Sequence, residues 1–142
     1  MDRRNFIRSS CTLCVGAIGI GFIASELAGC AAMPIYKATA EQDMIKIPLS
    51  SFKESKILVV RNNQLEFDIL LVKKSETDVN ALLMKCTHQD NPLTATNSGM
   101  FCSAHGSSFD LQGNVTREPA LKALKKFKTE INNQVITIYI KS

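Results

Sequence analysis

Phe67, Ile69 and Leu71 occupy alternate positions around Asp68 and Leu70, and Ile136, Ile138 and Ile140 do the same around Thr137 and Tyr139. A two-residue period is that of a β-strand, whose successive side chains point to opposite faces. Ile57 to Val60 and Ala81 to Met84 are short unbroken apolar runs. Asn62-Asn63 and Asn132-Asn133 are suited to hairpin turns. From Ala120 to Ile131 two periods compete: Ala120, Ala123, Leu124 and Phe127 fit helical spacing, whereas Phe127, Thr129 and Ile131 fit a strand with Lys126, Lys128 and Glu130 outside. Elsewhere past residue 42 the pattern predicts short strands separated by turns, without repeats or low-complexity stretches.

The first thirty residues differ in kind. Arg3 and Arg4 precede Asn5, Phe6, Ile7 and Arg8, and an apolar run of 14 residues follows from Cys11 to Ala24. A helix needs about 20 residues to span a bilayer, so the run reads as the hydrophobic part of a signal peptide covering residues 1–29. RRNFIR resembles the twin-arginine export motif. LAGC, residues 27–30, resembles the lipobox of bacterial lipoproteins, which implies cleavage after Gly29 and lipid attachment at Cys30. An uncleaved anchor helix is the alternative; the shortness of the run and Glu26 near its end stand against it. Residues 30–42 then read as a lipid-anchored tether whose last twelve residues reach at most about 40 Å, and residues 43–142 as the folded domain.

Composition narrows the function. The 142 residues are 45% apolar and 21% charged, the balance of a globular protein. A net charge of +4 comes with no Trp and two Tyr, so a nucleic-acid surface of basic and stacking residues is unsupported. Cleavage removes three arginines along with Asp2 and Glu26 and leaves the domain mildly basic.

The cysteines carry the chemistry. Of five, Cys11 and Cys14 fall in the signal's apolar run and Cys30 is the lipid site. Cys86 and Cys102 remain, and the two histidines of the chain stand beside them as Cys86-Thr87-His88 and Cys102-Ser103-Ala104-His105. Two cysteines of an exported protein can simply form a disulfide. The coincidence of both histidines with both cysteines favours one shared metal site built from two loops. Two thiolates and two imidazoles suit tetrahedral zinc, and equally a 2Fe-2S cluster with two cysteines on one iron and two histidines on the other. Zinc knuckles usually pair like ligands, whereas here each loop offers one cysteine and one histidine.

CTHQDNPL together with FCSAHGSSFDLQGNV resembles the Rieske family, with its C-x-H, a gap, then C-x-x-H-G-S and a following aromatic-Asp pair. The resemblance is firm over about residues 82–119. It implies an all-β fold: a Rieske-type antiparallel β-sandwich with a small cluster-binding subdomain of two loops. It also tips the Ala120–Ile131 stretch to a strand, with Pro119 in a loop flanking the cluster. Cys86 and Cys102 match the ligands of the buried iron, His88 and His105 those of the outer iron, and Ser107 the serine whose hydroxyl donates to a bridging sulfide. Several positions depart from the family. Phe109 replaces the Tyr of high-potential members and has no hydroxyl to donate, which predicts an intermediate potential. Asn91 and Ala104 stand where quinol-oxidising members carry a disulfide. Gln89 and Asp90 replace an apolar Leu-Gly and make a polar tip suited to a protein partner. Glu118 replaces the Gly before the loop proline and works against close approach of that loop.

The resemblance implies a membrane-anchored 2Fe-2S electron-transfer protein of the bacterial cell envelope, facing the periplasm. Its expected partners are redox proteins, a cytochrome or a respiratory complex, and the membrane through its lipid. Twin-arginine export fits, because it carries folded cargo with its cluster in place. The alternative is an iron-sulfur subunit of a cytochrome bc-like or other respiratory oxidoreductase. No general base, nucleophile or substrate pocket is visible, so the chain is not expected to be an enzyme alone. Lys122, Lys125, Lys126 and Lys128 read first as a solvated face and second as docking sites for an acidic partner.

Overall fold

The computed structural model describes residues 33–141. The expected signal peptide, with Cys11 and Cys14, and the expected lipid site Cys30 lie outside them. The described strands are β1 (Ile35–Ala38), β2 (Ala40–Glu41), β3 (Met44–Pro48), β4 (Ile57–Asn62), β5 (Ile69–Lys73), β6 (Val79–Leu83), β7 (Thr94–Thr96), β8 (Gly99–Phe101), β9 (Ser108–Asp110), β10 (Val115–Arg117), β11 (Lys126–Asn132) and β12 (Val135–Tyr139). A single 3-10 turn, Leu49–Phe52, is the only helical element among the described residues. Eight strands join in the order β1-β4-β5-β6-β11-β12-β3-β2, and a four-stranded sheet runs β10-β9-β8-β7. All pairings are antiparallel except β1 on β4. The expected all-β sandwich with a smaller subdomain is the observed architecture.

The two apolar patterns have different structural causes. In β3 and β12, Ile45, Ile47, Ile136 and Ile138 are wholly buried while their strand neighbours are not, as a sheet covered on one face requires. The strands β4, β5 and β6 are covered on both. Leu58, Val60, Ile69, Leu71 and Ala81 belong to one core with β3 and β12, whereas Ile57, Val59, Leu70, Val72 and Leu82 belong to a second core with Cys86, Met100, Cys102 and Phe109. Leu70 was expected between alternating inward positions and is instead fully buried beneath the small sheet. Each buried Val, Leu, Ile, Met or Phe side chain among them contributes roughly 1.5–3 kcal/mol by leaving water, so the base sheet and the subdomain stabilise one another.

The expected Asn62-Asn63 and Asn132-Asn133 turns begin one residue later, because Asn62 and Asn132 end their strands. Asn133 and Gln134 both take positive φ in the two-residue turn joining β11 to β12, and Gln42 and Asp43 do the same between β2 and β3. This is the turn form whose twist matches that of the flanking strands. After β4, the buried Asn62 donates from Nδ2 to the Ala38 carbonyl at 3.0 Å, and its Oδ1 accepts from the Gln64 N–H at 2.7 Å. The competing periods in 120–131 resolve by position: residues up to Lys125 form a loop that buries Ala120 and Leu124, and the strand begins at Lys126.

Residues 30–42 are not a free tether throughout. Ile35–Ala38 pairs with Val59–Asn62, Ala40–Glu41 pairs with β3, and Ala38 and Ala40 are buried. The pairing uses main-chain groups at the sheet's edges, which leave little trace in side-chain pattern.

Candidate metal centre

The two loops that carry the Cys and His residues share one backbone design. In the first, the Cys86 N–H donates to the Asn91 carbonyl at 2.8 Å and the Asp90 N–H to the Cys86 carbonyl at 2.9 Å. In the second, the Cys102 N–H donates to the Ser107 carbonyl at 2.8 Å and the Gly106 N–H to the Cys102 carbonyl at 2.9 Å. The offsets from cysteine are identical, and the residue four places on has positive φ in both, Asp90 at 55° and Gly106 at 83°. Gly is the usual occupant of that conformation and Asp one of the few others that tolerate it. Asp90 is further held by Lys85 at 3.1 Å. Thus C-x-H and C-x-x-H are the same knuckle with the histidine displaced by one residue.

The side chains sort by depth. Cys86 and Cys102 are free and 1% exposed. His88 is half-buried and His105 exposed, their rings edge to face with centroids 5.0 Å apart. Among the described residues, His88 Nδ1 is the one buried side-chain polar atom without a hydrogen-bond partner. A buried imidazole nitrogen left unpaired is costly, and coordination to a metal removes that cost. Among the described residues no three His, Cys, Asp or Glu side chains gather in a group that could hold a single metal ion. Two buried thiols and two adjacent imidazoles are the donor types that a mixed-ligand 2Fe-2S cluster takes.

A third segment, residues 118–125, ties the knuckles together. The Ala120 N–H donates to Ser107 Oγ at 3.0 Å, and Thr87 Oγ1 donates to the Lys122 carbonyl at 2.6 Å. The loop therefore fastens to both knuckles despite Glu118, which corrects the expectation that this residue hinders its approach. The contacts are made by main-chain groups two residues apart, past the Glu118-Pro119 bond, so the bulk of the Glu118 side chain does not enter them. Nothing in the local sequence marks Thr87, the spacer between Cys86 and His88, because its partner is 35 residues away.

The turn after β9 anchors the second knuckle's hairpin. Asp110 Oδ1 accepts from the Gln112 N–H at 2.9 Å and the Asn114 N–H at 2.8 Å, while Oδ2 accepts from Asn114 Nδ2 at 2.9 Å. Gly113 takes φ +83°, and a Cβ there would come within 2.9 Å of Leu82 Cδ2. Burial pushes the Asp110 pKa up, but donors from Asn114, Gln112 and Gly113 together outweigh it and hold the group below its ordinary value of 3.8. A depressed carboxylate pKa stabilises the fold above the unfolded value, and that contribution is lost as pH falls through the folded one. We expect Asp110→Asn to cost ~1 kcal/mol at pH 7 after allowing for solvent screening. The difference from wild type should shrink as urea unfolding is repeated below pH 4.

This architecture, an all-β domain presenting two matched Cys/His knuckles, defines an iron-sulfur electron-transfer class. The Rieske [2Fe-2S] domain family matches residues 45–128, more than half of the chain. The chain belongs to that family, whose domain binds a Rieske-type 2Fe-2S cluster. No curated protein matches the chain significantly. Among solved structures, the plasma membrane Rieske protein PetC3 from Synechocystis PCC 6803 is similar with TM-score 0.54 and 19% identity, over 64% of this chain and 93% of that one. A chain from the complex of reduced oxygenase and oxidized ferredoxin in carbazole 1,9a-dioxygenase is similar with TM-score 0.54 and 18% identity, over 71% and 96%. At these identities the likeness is one of fold.

Proposed function

We propose that this chain is a lipid-anchored electron carrier of the bacterial cell envelope, moving single electrons between a membrane or periplasmic donor and a protein acceptor. The observation that carries the reading is the paired knuckle, with free thiols inside and imidazoles outside. In it Cys86 and Cys102 would hold one iron of the cluster, and His88 and His105 the other. When bound, such a cluster supplies one-electron transfer at potentials of about −150 to +300 mV.

The chain's own residues set the terms of that transfer. Burial of Cys86 and Cys102 keeps water from the thiolates, while exposed His105 marks where electrons enter and leave. Ser107 is 0% exposed, and its Oγ accepts from the Ala120 N–H; among the described residues no protein group takes its hydroxyl proton. That proton is thus left to stabilise added negative charge at the site. We expect Ser107→Ala to lower the reduction potential by about 40 mV, the equivalent of one hydrogen bond of ~1 kcal/mol. Orphaning the buried Ala120 N–H costs a further 1–3 kcal/mol of stability, roughly. Protein-film voltammetry and urea unfolding read the two effects separately.

RRNFIR and LAGC support twin-arginine export and lipid attachment at Cys30. PetC3 is itself described as a plasma membrane protein, and the carbazole dioxygenase structure pairs a ferredoxin with an oxygenase, both in keeping with a membrane setting and a protein acceptor. Because the chain joins the sheet at Ile35, only four residues separate it from Cys30, a reach of about 14 Å rather than 40 Å. The domain is then held close to the bilayer. Growth with labelled palmitate tests this: wild type should carry label and fractionate with membranes, and Cys30→Ala should lose the label. Unlabelled wild type would remove the lipid anchor from the account while leaving the cluster untouched.

A further inference from the structure

Beside the first knuckle lies a hollow of about 300 Å³ whose lining includes Cys86, Thr87, Lys85, Lys122, Lys125 and Asp90. Its charges do not balance. Lys85 is paired with Asp90 at 3.1 Å, but among the described residues neither Lys122 nor Lys125 has a carboxylate within ion-pair distance. Lys128, by contrast, is spent on Glu130 at 2.9 Å. Lys125 stands over the Phe127 ring, 5.1 Å from its centroid, and both ammonium groups beside Cys86 lack a negative counter-charge among the described residues.

The position of these lysines is fixed by the scaffold. Between Ala120, bonded to Ser107, and Lys122, bonded to Thr87, stands Leu121, 81% exposed. One exposed leucine is ordinary on a protein surface. This one has its backbone tied on either side to a different knuckle, so it is held at the point where the two ligand loops meet, with Lys122 next to it. Leu121 itself lines a separate hollow with Arg117, Glu118 and Ala120, while the lysine-lined hollow fits a protein surface that presents carboxylates.

We propose that Lys122 and Lys125 form the docking surface for an acidic protein redox partner, which places its carboxylates in the hollow beside Cys86. The inference rests on the electron-transfer reading of the same site and names the partner's chemistry. Opposite charges on two redox partners speed their encounter by one to three orders of magnitude at low salt, and the effect fades as salt screens it.

Holoprotein reduced with dithionite and freed of excess reductant is mixed with hexacyanoferrate(III) or with tris(phenanthroline)cobalt(III). Each oxidation moves one electron from protein to probe, giving hexacyanoferrate(II) or cobalt(II), and no bond is made or broken. The anionic probe should react faster at low ionic strength and slow with added salt, and the cationic probe should do the reverse. The double variant Lys122→Glu with Lys125→Glu should slow the anionic probe about tenfold or more at low salt. Lys46→Glu with Lys53→Glu, of equal charge change, should not. In a second readout, independent of electron transfer, poly-L-glutamate should protect Lys122 and Lys125 from acetylation in preference to Lys46 and Lys53.

Rates indifferent to salt and to the Lys122/Lys125 change would overturn the docking surface while leaving the carrier reading intact. Failure of either probe to oxidise the protein would instead strike the carrier reading. If the double variant loses binding to phosphatidylglycerol-containing vesicles with its probe rates unchanged, the lysines face the lipid and the proposal is wrong.

Discussion

Cys86→Ser, prepared under cluster-assembling conditions, is expected to emerge colourless, with cluster occupancy at least about 100-fold below that of reddish-brown wild type. Thiolate sulfur is the donor that suits an iron-sulfur site, and a serine hydroxyl, protonated at neutral pH, is a poor replacement. Outer partners of metal ligands already cost 10–100-fold in affinity when changed, roughly, so loss of a direct ligand costs more. The variant isolates chemistry from packing. Cys86 is 1% exposed and the exchange of sulfur for oxygen removes little volume, while the knuckle's hydrogen bonds are made by main-chain groups that serine keeps. Circular dichroism should therefore show the β-sheet signal retained while iron analysis and the low-average-g electron paramagnetic resonance signal report loss. A coloured, iron-replete Cys86→Ser protein would contradict the ligand assignment, and colourless wild type containing zinc would overturn the cluster itself.

Gly99→Ala should have the converse signature, with all four ligands in place and the frame that presents them damaged. Gly99 pairs with Asp110 across β8 and β9, and a Cβ at this position would stand inside the contact distance of the Phe109 carbonyl oxygen. The obstacle is main chain, which has no rotamer to move aside. Relief requires β8 to separate from β9, and these strands lead directly into Cys102 and out of Ser107. Overpacking of this kind costs about 3 kcal/mol, enough to shift the urea midpoint well below that of wild type. Iron content of the surviving folded fraction should fall only in part, since the knuckle's own hydrogen bonds lie beyond the paired residues. Unchanged stability would show that the two strands have slack the close approach does not suggest.

These two expectations separate what is local from what is assembled. The two Cys/His loops could be read from the chain because a knuckle is a short-range object: six consecutive residues close their own hydrogen bonds, and Cys-Thr-His or Cys-Ser-Ala-His sits within that closure whatever surrounds it. The sequence did not disclose that both knuckles share one backbone path, since Asp90 does in one what Gly106 does in the other. The strand at 135–139 and the turn at Asn133 were legible for the same local reason.

Covalent neighbourhood, then, was enough to mark the two Cys/His knuckles, the strand-rich character of the domain and the family to which it belongs. Tertiary structure alone decided that Leu70 faces a second core, that residues 35–41 join the sheet, that Thr87 and Ser107 reach Lys122 and Ala120, and that Leu121 stands exposed between them. Each of those outcomes depends on contacts between residues distant in the chain, whose free energy comes from burying paired faces and satisfying main-chain groups. A pattern along one segment records which of its own faces is apolar, and carries no record of which other segment will cover it.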